Sequence, residues 1–250
     1  LGVEHYYKAR ISPHLLIVEG STDIAMLRAF AKKISHPAWD CLGERLFCYY
    51  TREVTPEPDI YEEVQRKATP ADKFKEYFFT LRRLVPHLNA LVLLDSDGRD
   101  VASAGDDETY GMRTLRWKRY ELENYFISPE TLVKYIQFQK GDDLFSASYE
   151  RVMKQAVDEV LAEMLYEGNA DAVQEYYSAG PQTRIQLLAK IKMSGFAELA
   201  FEKYAKKQGQ PVLLNKGGYY KIIDILEPNE VPAEITEKLD AIQKLFETEK

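Results

Sequence analysis

Two runs of strand length, His14 to Val18 and Ala90 to Leu94, each stop abruptly at acid. Glu19-Gly20-Ser21-Thr22-Asp23 follows the first and Asp95-Ser96-Asp97-Gly98 follows the second. A short apolar run without polar alternation reads as a strand covered on both faces, the usual situation in a parallel sheet. In open α/β sheets ligands collect outside the carboxyl ends of the strands. Both acid groups are therefore expected at a ligand-binding edge.

The remaining pattern agrees with this class. After Gly20, Ile24, Leu27, Phe30 and Ala31 fall on one side of a helix. A second strand is expected at Leu46 to Tyr50, and a loop at Thr55 to Asp59, which holds two prolines. A helix from about Ala71 to Leu84, stopped by Pro86, leads into the Ala90 to Leu94 strand. Strands alternating with helices imply a mostly parallel α/β sheet flanked by helices. Ser96 to Gly111 reads as loop, and Thr114 to Tyr120 as a further strand. From about Pro129 to Gln208 the periodicity turns helical, followed by a short strand at Val212 to Leu214, a helix at Tyr219 to Leu226 and a charged helix from Ala233. The division expected is a core over residues 1–128, a helical insertion over 129–208, and completion of the core with a C-terminal helix over 209–250.

Composition narrows the function classes. With 45% hydrophobic and 29% charged residues the chain belongs with folded globular proteins, not disordered ones. No apolar run approaches the ~20 residues of a membrane span, and the start does not resemble a signal peptide; a cytoplasmic location is the expectation. Cys41 and Cys48 have no Cys or His neighbours at zinc spacing, so neither a disulfide framework nor a structural zinc is indicated. The net charge of −7 lacks the usual basic footprint of a nucleic-acid binder, although a nuclease that concentrates carboxylates around metal can be acidic overall. A start at Leu1-Gly2 points to a fragment of a larger protein.

Three constellations carry chemistry. Glu19 and Asp23 sit at a strand end and at the next helix start; the plain alternative is a solvated turn glutamate and a first-turn acid favoured by the helix dipole. Asp95 and Asp97, two apart, would point the same way in extended backbone and share a hard cation through oxygen. Left without a cation, such a pair repels and one pKa rises. In Arg116-Trp117-Lys118-Arg119-Tyr120-Glu121-Leu122-Glu123-Asn124-Tyr125, Glu123 or Glu121 offers a further ligand and Arg116, Lys118 or Arg119 a phosphate contact. A surface strand of mixed charge is the alternative there.

Together the Val18-to-Asp23 and Leu93-to-Gly98 segments, in this order, resemble the Toprim family, in which a glutamate after the first strand and a DxD after a later strand form a magnesium site. Glu123 to Tyr125, the helical insertion and a late lysine segment are similar to the OLD (overcoming lysogenization defect) nucleases within it, over about His14 to Leu226. The resemblance implies two-metal cleavage of nucleic acid. Its candidate ligands are Glu19, Asp23, Asp95, Asp97 and Glu123, with Glu19, Asp23 and Asp95 mainly on one ion and Asp97 with Glu123 on the other. Mg2+ or Mn2+ suits an all-oxygen set, and Ca2+ is expected to occupy the site without supporting cleavage. The family's helper lysine maps onto Lys216 or Lys221, with Lys221 favoured because an apolar helical stretch follows it. Arg99, Arg116, Lys118 and Arg119 are the expected contacts to the DNA backbone.

The function expected is a metal-dependent DNA endonuclease. The resemblance adds a preceding ABC-type ATPase region, and since no GxxxxGK loop occurs in this sequence that ATPase would lie outside it. It also allows a homodimer, and no membrane association is expected. The competing readings are a non-catalytic Toprim module for DNA binding or assembly, and another Toprim activity of the topoisomerase or primase kind. An aspartyl phosphatase comes third, because it leaves Glu19 and Glu123 without roles.

Overall fold

The computed structural model describes residues 3–43, 46–51, 70–98, 107–141 and 146–247. Arg99 and the expected loop at 55–59 lie outside the described residues. The chain divides into two compact units. The first comprises Leu1–Leu94, Val101–Arg116 and Ala233–Lys250, the second Asp95–Asp100 and Trp117–Pro232.

The first unit is an α/β layer built on a five-stranded sheet ordered β2-β1-β3-β5-β4, with β1 His14–Val18, β2 Phe47–Tyr50, β3 Asn89–Leu94, β4 Asp107–Thr109 and β5 Met112–Arg116. All pairings are parallel except β4 with β5. The expected α/β class and mostly parallel sheet are what form. β1 is buried at every position, and β3 at all but Asn89, which is why neither alternates.

Odd and even positions of these strands feed two different cores. On one face Leu15, Ile17, Ala90, Val92 and Leu94 pack with Phe74, Phe78 and Leu81 of the helix Pro70–Leu84 and with Ala9 of the helix Val3–Ile11. The helices Ser21–Lys33 and Ala233–Glu247 pack on β1, and the latter also on β3; they bring buried Met26, Leu27, Phe30, Ile235, Leu239 and Ile242. Each such fully buried side chain contributes roughly 1.5–3 kcal/mol relative to exposure.

The second unit is helical. Ser146–Leu165 packs against Pro129–Lys140 and against Met193–Gln208, through buried Leu132, Ile136, Met153, Val157, Val160, Phe196, Ala200 and Phe201. The shorter helices Val173–Ser178, Pro181–Leu188 and Tyr220–Ile223 belong to the same unit. Its boundaries differ from the division at 128 and 208. Residues Asp95–Asp100 and those from Trp117 onward go with the helices; Ser96 and Asp97 donate to the Tyr120 carbonyl, and the Tyr120 amide donates to the Ala189 carbonyl.

Four local expectations are corrected. The strand expected over 114–120 runs only to Arg116, after which the chain leaves the sheet. No strand forms at Val212 to Leu214; the three residues follow Pro211, and Val212 and Leu213 stay exposed. The expected helix at 219–226 is a single turn over Tyr220–Ile223. Part of the expected 96–111 loop is a hairpin, with Thr109 paired to Met112 across Tyr110-Gly111. Both loop residues have positive φ, 49° and 79°, the signature of a type I′ turn. Tyrosine is an unusual first residue for that turn, so the sequence carried little sign of it. Among the described residues, no helix is long and apolar enough to cross a membrane.

Candidate functional site

In the first unit, parallel pairing of β1 with β2 and β3, and of β3 with β5, brings their carboxyl ends to one sheet edge. Glu19 follows the last residue of β1, in a bend, and is 8% exposed. Asp23 opens the helix Ser21–Lys33, and its Oδ2 accepts from the amides of Glu19 at 3.0 Å and Gly20 at 3.1 Å. That satisfies donors a helix start otherwise leaves open. The Asp23 carboxylate therefore holds the backbone of the Glu19 turn, whatever else it binds. Arg116 ends β5 and is half-buried.

In the second unit the acid turn after β3 is not extended. Ser96 and Asp97 both donate their amides to the Tyr120 carbonyl at 3.1 Å. The Ser96 hydroxyl donates to the Arg119 carbonyl at 2.7 Å. Asp97 takes φ 50° and Gly98 φ 76°, left-handed backbone that aspartate tolerates and glycine favours. Asp95 and Asp97 thus do not share the fully extended backbone that the two-residue spacing would need to aim both the same way. Their relative aim is set by a turn bound to Tyr120. Asp95 is half-buried and Asp97 exposed.

The segment after Tyr120 folds into a short 3-10 turn, Leu122–Tyr125. Glu121 is 1% exposed, and Ser194 donates to both of its oxygens, the amide to Oε1 and the hydroxyl to Oε2 at 3.0 Å. Burial first, then the neighbouring Glu123 charge, hold the Glu121 carboxyl up at about 7, against the Ser194 hydrogen bonds and Lys216. Glu123 is 2% exposed. Its Oε1 accepts no hydrogen bond and lies 3.2 Å from Lys216 Nζ. Asn124 accepts from the Glu121 amide at 3.1 Å and donates to the carbonyls of Leu188 and Ile191 at 2.7 and 2.9 Å.

The sequence candidates thus fall into different situations. Lys216, in the short turn Lys216–Gly218, meets Glu123, whereas Lys221 is exposed on the next helix. Arg119 donates to the Asn124 carbonyl at 2.6 Å and stacks over the Tyr125 ring at 4.6 Å, a structural engagement. Lys118 is exposed. Glu121 stood beside Glu123 as an alternative ligand, and the structure gives it a separate partner in Ser194. Nothing local marks Ser194 in the sequence, because the contact spans 73 positions.

As to metal, the donor set is all oxygen, which suits a hard divalent cation. Glu123 adds an enclosed carboxylate oxygen that accepts no hydrogen bond. Among the described residues, no three His, Cys, Asp or Glu side chains are grouped as an ion would require.

No protein-family model and no curated protein matches the chain. Among solved structures it is similar to the C-terminal region of the Xanthomonas campestris pv. campestris OLD protein. The structure phased with iodine shares 15% identity over 94% of this chain and 96% of that one, at a TM-score of 0.37. The one phased with platinum shares 15% identity over 96% of each, at a TM-score of 0.39.

Proposed function

We propose that this chain is the catalytic part of a Toprim-type, Mg2+- or Mn2+-dependent DNA endonuclease. The observation that carries the reading is the pairing of buried Glu123 with Lys216 beside a turn that carries Asp95 and Asp97. A buried carboxylate is costly to keep unless paired or coordinating. A strand-end glutamate and a later DxD, as in the Toprim resemblance, supply the rest of the donors.

Glu19, Asp23, Asp95, Asp97 and Glu123 are the residues that would hold two divalent ions. The chemistry such ions would supply there is activation of water and neutralisation of charge on a scissile phosphate. Water oxygen forms the new bond to phosphorus, the bond from phosphorus to the leaving sugar oxygen breaks, and that oxygen takes up a proton. Lys216, paired with Glu123, would stabilise negative charge developing on the phosphate. Lys118 and Arg116 are the available backbone contacts, which give affinity without sequence choice. Arg119 has the lesser claim, being spent on Asn124 and Tyr125. By the same resemblance the chain works alongside an ABC-type ATPase region and as a homodimer.

One observation favours a second reading, a DNA-binding or assembly module that does not cut: no three acids are grouped among the described residues. Conversion of supercoiled plasmid to nicked circle, followed with Mg2+, Mn2+, Ca2+ and EDTA, separates the two. Nicking with Mg2+ or Mn2+, and none with Ca2+ or EDTA, is the expected result. DNA binding without any nicking under all four conditions would leave the module reading.

A further inference from the structure

We propose that Ser194, at the start of the helix Met193–Gln208, is a positioning residue that sets the two segments carrying Glu123 and Lys216 against each other. The activity arm of its test rests on the nuclease reading, and the structural arm does not.

Ser194 is 4% exposed and bonds in two directions. Its amide and hydroxyl donate to the Glu121 carboxylate, two residues before Glu123. Its carbonyl accepts from the Tyr219 hydroxyl at 3.3 Å, three residues after Lys216. The Tyr219 amide in turn donates to the Lys216 carbonyl at 3.3 Å. Tyr219 is itself 1% exposed, so its ring cannot swing away without opening the core. One buried serine thus links the acid segment to the lysine segment, and neither reaches the other by a backbone hydrogen bond of its own among those described.

The same region suspends the acid turn. The Tyr120 amide donates to the Ala189 carbonyl at 3.0 Å, while the Tyr120 carbonyl accepts from Ser96 and Asp97. Asn124 adds its two bonds to Leu188 and Ile191. Residues 188–194 of the helical unit therefore act as a bracket for residues 120–124, and through Tyr120 for the Asp97 turn. Holding a carboxylate 1% exposed in this bracket is an expensive way to gain stability, since an apolar pair of the same volume would do as well. What the charge-assisted pair adds is a defined orientation. Partners that orient ligand side chains typically cost 10–100-fold in metal affinity or activity when removed.

The test uses the full chain with Ser194→Ala, which removes only the hydroxyl bond, and Ser194→Thr, which keeps it. Three quantities are read: amide hydrogen exchange at residues 96–97 and 120–124, Mn2+ binding by calorimetry, and the Mn2+ dependence of plasmid nicking. Ser194→Ala is expected to exchange faster at those amides and to need roughly tenfold more Mn2+ for half-maximal binding and nicking, with Ser194→Thr close to the parent. Unchanged exchange there, or slower nicking with unchanged Mn2+ binding and no rescue by threonine, overturns the proposal. If Ser194→Ala does not fold, Tyr219→Phe removes the other link and is read the same way. If the parent chain never nicks, the nuclease reading fails, and exchange together with Mn2+ binding still decides the role of Ser194.

Discussion

Glu123 Oε1 stands 3.2 Å from Lys216 Nζ, the carboxylate side chain 3% exposed and the lysine 46%. A buried acid thus faces a cation that still reaches solvent. This lysine can neutralise the acid in the resting protein and meet an arriving phosphate.

The pair separates the two lysines. Lys216→Ala should lower the nicking rate about 10²–10³-fold, the usual loss when a donor aimed at developing charge is removed. Lys221→Ala should nick at the parent rate, since among the described residues the ion pair to Glu123 is made by Lys216. Rates measured on supercoiled plasmid at saturating Mn2+ check both, and equal losses in the two variants would refute the assignment.

Asp95→Ala and Asp97→Ala should each abolish Mg2+- or Mn2+-dependent nicking while the circular dichroism spectrum is retained. The Ser96 and Asp97 amide bonds and the Ser96 hydroxyl bond that hold the turn stay in place in both variants. Full activity in the double variant would remove the proposed mechanism.

Asp23 can be dissected by shape against charge. Asp23→Asn keeps an oxygen for the Glu19 and Gly20 amides and should stay within a few tenths of a kcal/mol of the parent, whereas Asp23→Ala should lose about 1 kcal/mol. If Asp23 also ligates metal, Asp23→Asn will bind Mn2+ more weakly at unchanged stability. Urea unfolding paired with Mn2+ titration distinguishes the two roles.

Stability should fall as pH rises from about 5 to 8, and Glu121 is the group responsible. Its carboxyl is raised from 4.5 to about 7, first by burial. Between those values the folded chain holds a proton that the unfolded chain has released. The contribution is therefore complete below about 4.5 and lost as pH passes through 7, a change of a few kcal/mol at most. Glu121→Gln should flatten this slope in urea unfolding series at each pH, and an unchanged slope would clear Glu121 of the effect.

Gly111→Ala should destabilise by about 1–3 kcal/mol. A Cβ there would lie 1.9 Å from Arg82 Nη1 and 2.7 Å from Asn89 Oδ1, at φ +79°. Arg82 is held by its bond to the Leu88 carbonyl at 2.6 Å and cannot retreat freely. A lowered thermal midpoint is the readout, and an unchanged one would show that Arg82 gives way.

The sequence alone determined the α/β class, β1 within its bounds, β2 and β3 to within a residue, and the placement of Glu19 at a strand end. These follow from local apolar runs and breakers, which act within a few residues. The helical character of 129–208 was legible for the same reason. Tertiary structure decided what depends on meetings between distant residues. It turned the Asp95–Asp97 stretch out of extended geometry by binding it to Tyr120, gave Glu121 to Ser194, and set Lys216 rather than Lys221 against Glu123. It also denied Val212 to Leu214 a partner strand. A hydrogen bond between residues 73 positions apart leaves no periodicity in either segment, so such partners emerge only once the chain has folded.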